Sequence, residues 1–223
     1  MKEGNLRRPS NPVALFIRYF MFMLGLAVMA FGCVLTVQAD IGVTPWDTFH
    51  IGLWKTFGLT IGTWSQIVGS AVILLTWVLA KIRPTLGMLL NMYFFGEFFD
   101  WFMWLDFVPH AEGIWQAVLL FTAGLLILSV GIGMYISPRL GAGPRDSLML
   151  ALHERLGLSI QRVRVTIEVV VLVAGYLMGG PVSVGTLLVA VLTGPLIQRT
   201  IPFWENVMRK PYGRANVEEQ VHA

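Results

Sequence analysis

The chain has 223 residues, of which 56% are apolar and only 13% charged, and a mean hydropathy of +0.69, whereas an ordinary soluble domain carries about 25% charged residues. This excludes a soluble globular protein. Six apolar stretches take up most of the length, so no chain is left for a separate catalytic, nucleotide-binding or sensor domain, and the net charge of +3 is spread over loops and termini.

A helix rises 1.5 Å per residue and needs about 20 residues to cross a hydrocarbon core roughly 30 Å thick. Residues 1–13 form a cationic lead-in, and the first predicted span runs from Ala14 to Gln38. Val37-Gln38-Ala39 resembles a signal cleavage site, but the apolar run is about twice the usual length of a signal core, so it is kept as a helix. The single cysteine, Cys33, lies inside it, which leaves no disulfide framework and no cysteine pair for zinc. The next segment, Gly42-Val-Thr-Pro45-Trp46-Asp47-Thr48, predicts a short helix from Pro45 to Phe57 that ends near Gly58. Spans from Gly62 to Ala80 and from Thr85 to Leu105 complete a first unit of three spans, residues 14–107. A second unit, residues 114–204, has spans from Trp115 to Ile136, Val163 to Met178 and Ser183 to Ile201. Its own short helix runs from Pro144 to Leu156 and ends near Gly157, and residues 205–223 form a tail. The expected fold is thus an all-α membrane protein with six transmembrane helices.

Sliding the chain by 99 residues lays Gly42, Pro45, Asp47, Leu53, Gly58, Leu59 and Ile61 on Gly141, Pro144, Asp146, Leu152, Gly157, Leu158 and Ile160, 7 identities in 20 positions. Chance at this composition gives about one or two. Each unit has an odd number of spans, so the second repeat crosses the membrane inverted relative to the first. Charge gives the same answer independently, because cationic loops resist translocation. With both termini cytoplasmic, 15 of the 16 lysines and arginines lie inside and only Lys55 outside. The basic pI of about 9.2 is therefore a topology signature and gives no support to nucleic-acid binding. Trp101, Trp104 and Trp115 flank the outer third loop, with Tyr19 and Trp204 near the inner face, as interfacial aromatic belts.

In the repeated Gly-x-x-Pro-x-Asp motif, Gly42 and Gly141 permit a sharp turn, and proline suits the first helical turn because its missing N–H has no intrahelical partner there. The aspartate then sits where the helix dipole favours negative charge. Helices of about 12 residues are too short to span. They either lie on the surface, with Asp47 and Asp146 as helix caps, or dip into the membrane and bring Pro45, Trp46, Asp47, Pro144, Arg145 and Asp146 to a shared solute pathway. Both readings remain open. Inverted repeats are frequent in secondary transporters, whose solute sites form at the repeat interface.

Ionisable residues inside spans are costly and face a bundle interior, pair, or bind a proton or cation. Glu97 and Asp100 share a face of the third span and are the candidates for coupling to a proton or cation; Asn91, oblique to that face, joins the candidate pathway. Snorkelling to the outer interface is the plainer account of Asp100. Glu168 follows Arg164 by four residues, the spacing of a helix-surface ion pair. The four histidines form no metal-ligand spacing, and no phosphate-binding loop, nucleophile elbow or zinc-protease motif occurs. No enzyme activity, metal or cofactor is expected.

The two motifs, each followed by a Gly-Leu-[Thr/Ser] step at Gly58 and Gly157, resemble the YczE/YitT/YyaS family of bacterial integral membrane proteins, over nearly the whole chain and most closely in the YczE branch. The resemblance implies a multi-pass protein of the bacterial cytoplasmic membrane and brings no established substrate or residue roles. It also implies a link to lipopeptide antibiotic production, by export or by support of a membrane-associated synthetase. Three functions are therefore expected to compete. One is a transporter or facilitator of a small solute. Another is a non-transporting membrane factor that anchors a synthetase or another membrane complex through its arginine-rich loop and tail, although topology and attraction to anionic lipid account for those arginines at about 1 kcal/mol each; a membrane partner protein or a homo-oligomer is the expected assembly. The third is a permease subunit that needs a separate ATPase. The lipid bilayer is the common partner, and nucleic acid is not one.

Overall fold

The computed structural model describes residues 12–141 and 143–221, with side chains through Met208. Lys2, Arg7, Arg8, Ala142 and His222, and the side chains of Arg209, Lys210 and Arg214, lie outside the described residues. All regular structure described is helical: α1 Pro12–Ala39, α2 Pro45–Phe57, α3 Ile61–Ala80, α4 Leu86–Leu105, α5 Ile114–Ile136, α6 Pro144–Leu156, α7 Ile160–Leu177 and α8 Val184–Val221.

Local chemistry accounts for the helix starts. Thr44, Thr60, Thr85 and Ser159 each sit at an N-cap and accept from the backbone N–H three residues on, which satisfies one of the donors a helix leaves free. Pro45 and Pro144 occupy the first helical positions of α2 and α6. The apolar stretches read from the sequence correspond to α1, α3, α4, α5, α7 and α8, with ends within three residues except at the C-terminus of α8. There the helix continues beyond Ile201 through Pro202, because hydropathy limits the membrane-compatible stretch and not the helix itself.

Among the described residues, four helices are long and apolar enough to cross a membrane: α1, α3, α5 and the part of α8 from Val184 to Met208. The other two long helices are more polar, α4 through Asn91, Glu97 and Asp100 and α7 through Arg162, Arg164 and Glu168. Large apolar side chains such as Trp77, Leu119, Leu177 and Val191 are exposed around the bundle. An apolar surface this extensive is not tolerated by a monomer in water and suits a lipid-facing belt.

At the centre α1 and α5 pack along their lengths, with α4 against α1 and α8 against α5. The approach is close enough to require glycine. A Cβ at Gly32 would come within 2.3 Å of the Leu128 backbone N, and one at Gly131 within 2.3 Å of the Met29 backbone N. The short helices change sides: α2 packs mainly on α7 of the other half, and α6 on α3. Their entry turns are docked in the same crossed sense. The Gly42 turn (φ +146°) lies on the start of α8, and the Gly141 turn (φ +145°) on the start of α4. These φ values favour glycine. The main apolar core, including Cys33, Val34, Ile51, Phe95, Phe99 and Leu128, joins α1, α2, α4 and α5. A smaller cluster of Trp46, Val72 and Leu148 ties α2, α3 and α6 together.

Candidate functional site

The crossed packing brings the N-terminal turns of α2 and α6 to one cavity of about 270 Å³. Its wall includes Pro45, Trp46 and His50 from α2, Pro144, Arg145 and Asp146 from α6, and Cys33, Asn91, Tyr135, Arg164 and Glu168 from the long helices around them. The two motifs meet directly: the Arg145 guanidinium carbon lies over the Trp46 ring, 4.5 Å from its centroid. At this distance the cation is attracted to the ring face.

Although the motif is repeated, its two aspartates are held differently. Thr44, the N-cap of α2, accepts from the Asp47 backbone N–H at 3.1 Å and donates its hydroxyl to Asp47 Oδ2 at 2.7 Å. This reciprocal cap keeps Asp47, 1% exposed, behind the cavity wall. The equivalent position in the second motif is Gly143, which has no side chain to cap α6. Asp146 therefore lines the cavity, and its one described side-chain partner is the Tyr135 hydroxyl, which donates to Oδ2 at 3.5 Å.

Several polar groups at the cavity lack protein partners. Asn91 is 8% exposed and its Nδ2 donates to no acceptor; His50 is 1% exposed and its Nδ1 is unpaired. Among the described residues, no carboxylate oxygen comes within 4.0 Å of the Arg145 side-chain nitrogens. Buried polar groups are nearly always hydrogen-bonded, so an unpaired set facing one cavity needs an explanation. Arg164 and Glu168, by contrast, pair at 2.9 Å across one helical turn.

Of the residues singled out in the sequence for a solute pathway, Pro45, Trp46, Asn91, Pro144, Arg145 and Asp146 line the cavity and Asp47 backs it. The coupling candidates lie elsewhere. Asp100 caps α3, accepting from Gly62 N–H at 2.8 Å and from the Thr60 hydroxyl. Glu97 accepts from Gln66 Nε2 at 2.9 Å on the outward face of α3 and α4. The aromatic belt candidates Trp101, Trp104 and Trp115 are exposed. Among the described residues, no group of three or more His, Cys, Asp or Glu side chains is arranged to hold a metal ion.

The sequence did not single out His50 or Tyr135. His50 had a usable signal, since it follows Trp46 by four residues and so shares its helix face. Tyr135 had none, because its position near Asp146 depends on how α5 turns into α6.

Residues 16–202 match the sequence profile of a family described as "Family of unknown function (DUF6198)". The chain is 39% identical over 189 residues to "Uncharacterized membrane protein YczE" of Bacillus subtilis, covering 84% of this chain and 87% of that protein. It is 31% identical over 190 residues to an "Uncharacterized protein" of Haemophilus influenzae, covering 85% and 86%. It is 26% identical over 192 residues to "Uncharacterized protein YyaS" of B. subtilis, covering 85% and 94%. No solved structure matches the chain. The matched region contains both short helices and every cavity residue named above, and the chain belongs to the DUF6198 family, with the membrane protein YczE among its relatives.

Proposed function

We propose that this protein is a transporter or facilitator that moves a small solute across the bacterial cytoplasmic membrane. In this reading α1, α3, α4, α5, α7 and α8 cross the bilayer as two inverted three-helix repeats with both termini inside, and α2 and α6 are re-entrant half-helices that meet between the repeats. The observation that carries it is the contact of Arg145 with Trp46 in the wall of one cavity, since these residues occupy the same position in the two copies of the motif. Broken or half-length helices meeting at a repeat interface are how many secondary transporters build a solute site.

The crossed packing supports the same reading. Exchanging the halves turns the α2–α7 contact into the α6–α3 contact and the α1–α4 contact into the α5–α8 contact. It also turns the approach of Gly87 to the Leu140 carbonyl into that of Gly185 to the Ile41 carbonyl.

The test combines sidedness with flux. In a Cys33→Ala background, single cysteines at Trp46 and Arg145 are expected to resist a membrane-impermeant maleimide from either side until the protein is denatured. A cysteine at Lys55 is expected to label from outside and one at Arg83 from inside. Purified protein in proteoliposomes is then expected to accelerate uptake of at least one member of a broad panel of small radiolabelled metabolites. Free labelling of Trp46 and Arg145 in the folded protein, with no flux for any panel member, would overturn the proposal.

A further inference from the structure

Arg145 and Asp146 are adjacent in sequence and carry opposite charges, and both face the cavity; each charge acts on the other, yet they form no close ion pair. Among the described residues, no ion pair within 4.0 Å joins the Arg145 guanidinium to any carboxylate. Trp46 covers one face of the guanidinium and supplies no hydrogen-bond acceptor, so the N–H donors at its edge remain available. The Asn91 amide, buried and with Nδ2 unpaired, lines the same cavity on the side of Asp146. Asn91 reaches the start of α6, where its Oδ1 lies 3.4 Å from the position a Cβ on Gly143 would take. With glycine at the N-cap, no side chain satisfies the first N–H groups of α6. The Asp146 carboxylate occupies this turn, its Oδ2 3.6 Å from the same Gly143 position, so the donors free for a planar anion are those of Arg145, a side chain that binds such anions through two parallel hydrogen bonds.

Asp146 supplies the opposite requirement. A carboxylate carries about four acceptor sites, of which the Tyr135 hydroxyl, at 3.5 Å, and the Gly143 backbone N–H each use one. The remainder suit a donor-rich cation. The charge of the wall selects between ligand classes. Its ionised side chains are two arginines and two carboxylates, of which Arg164 and Glu168 already pair. Asp47 stands behind the wall at the N-terminus of α2, where the helix dipole and the Thr44 hydroxyl offset part of its charge; its Oδ1 is buried without a hydrogen-bond partner, and its charge acts on Arg145 without forming an ion pair with it. A solute with net charge would leave Arg145 or Asp146 without a partner in a site of low dielectric, which is costly. A solute carrying both charges satisfies both. The cavity, about 270 Å³, is below the roughly 300–1,000 Å³ of pockets for drug-sized ligands, which limits the solute to the size of a small metabolite.

We infer that the cavity binds a small zwitterion, with its carboxylate on Arg145 and its ammonium group on Asp146. This rests on the transporter reading for its biological sense, but binding itself requires no transport. The experiment measures binding by isothermal calorimetry and by melting temperature in detergent. The probes are glycine, β-alanine and γ-aminobutyrate, which differ in charge separation, with propionate and propylammonium as single-charge controls. At least one zwitterion is expected to bind saturably and raise the melting temperature, and neither control is expected to do so at the same concentration. Arg145→Ala and Asp146→Asn are each expected to weaken that binding at least tenfold. Arg145→Lys, which keeps the charge but loses the planar fork, should give an intermediate value, and Arg83→Gln in an exposed loop should leave it unchanged. Elution of every variant at the parent position on gel filtration separates lost binding from lost folding.

Equal binding of propionate, no binding of any zwitterion, or unchanged affinity in folded Arg145→Ala and Asp146→Asn proteins would overturn the inference. The two proposals fail separately. Zwitterion binding without flux in proteoliposomes sustains this inference and overturns transport, whereas flux of another solute without zwitterion binding does the reverse.

Discussion

Thr44 and Gly143 hold equivalent places in the repeated motif, and the difference between a hydroxyl and a hydrogen separates the roles of the aspartates that follow. Asp47 is engaged by Thr44 and completes a helix cap, while Asp146 faces the cavity. Replacing Thr44 by alanine removes the cap of α2 and leaves the buried Asp47 carboxylate without its hydroxyl donor. Loss of a Ser/Thr N-cap costs about 1 kcal/mol, with a range of about 0.5–2. Thr44→Ala is therefore expected to lower stability by that amount in denaturant titrations of the detergent-solubilised protein, and Thr44→Ser to restore most of it. Equal stability of the alanine and serine variants would show that the hydroxyl is not what holds Asp47.

At the scale of the element, glycines decide how closely helices approach. Gly32 and Gly131 allow the α1 and α5 backbones to touch, and there a Cβ meets backbone atoms, which cannot move aside as a side-chain tip can. Overpacking a well-filled core costs about 1–3 kcal/mol or more, and contact with backbone falls at the severe end. Gly32→Val is expected to abolish the monodisperse gel-filtration peak. Gly194, in α8, has nothing within 4 Å of the place a Cβ would occupy, and alanine is favoured over glycine in a helix by roughly 1 kcal/mol. Gly194→Ala is therefore expected to match or exceed the parent in folded yield. A folded Gly32→Val protein would mean that the α1 and α5 backbones do not touch at this crossing. Helix identity had the opposite character, since it was largely local. Pro45 and Pro144 mark the starts of α2 and α6 by their chemistry alone, and Gly58 and Gly157 their ends.

Across the whole molecule, the decisive feature is that the short helices pack on the opposite half. This predicts a specific cross-link. Thr56 of α2 donates its hydroxyl to the Met178 carbonyl at the end of α7 at 3.2 Å. In a Cys33→Ala background, Thr56→Cys with Met178→Cys is expected to be joined within one chain by a short bis-maleimide cross-linker. With a protease site inserted between residues 106 and 113, the two halves should then remain joined on a denaturing gel after cleavage. Separation of the halves would place α2 against its own repeat and remove the basis for a shared cavity.

The sequence alone determined the membrane character, the helical segments and the proline-started short helices, because each depends on composition, on spacing along one helix or on a turn residue's own conformational limits. Five of the cavity-lining residues were also legible because they sit in the two motifs, and Asn91 because it is a polar residue inside a predicted span. What only the tertiary structure decided was contact between segments distant in the chain. No local pattern shows that Trp46 lies beneath Arg145, that Tyr135 and Asn91 complete the surroundings of Asp146, or that Glu97 faces outward while Asp100 caps α3. Helix periodicity shows which residues share a face, but the partner of that face is chosen by close packing between helices, and here glycine at the crossings of α1 and α5 sets that geometry.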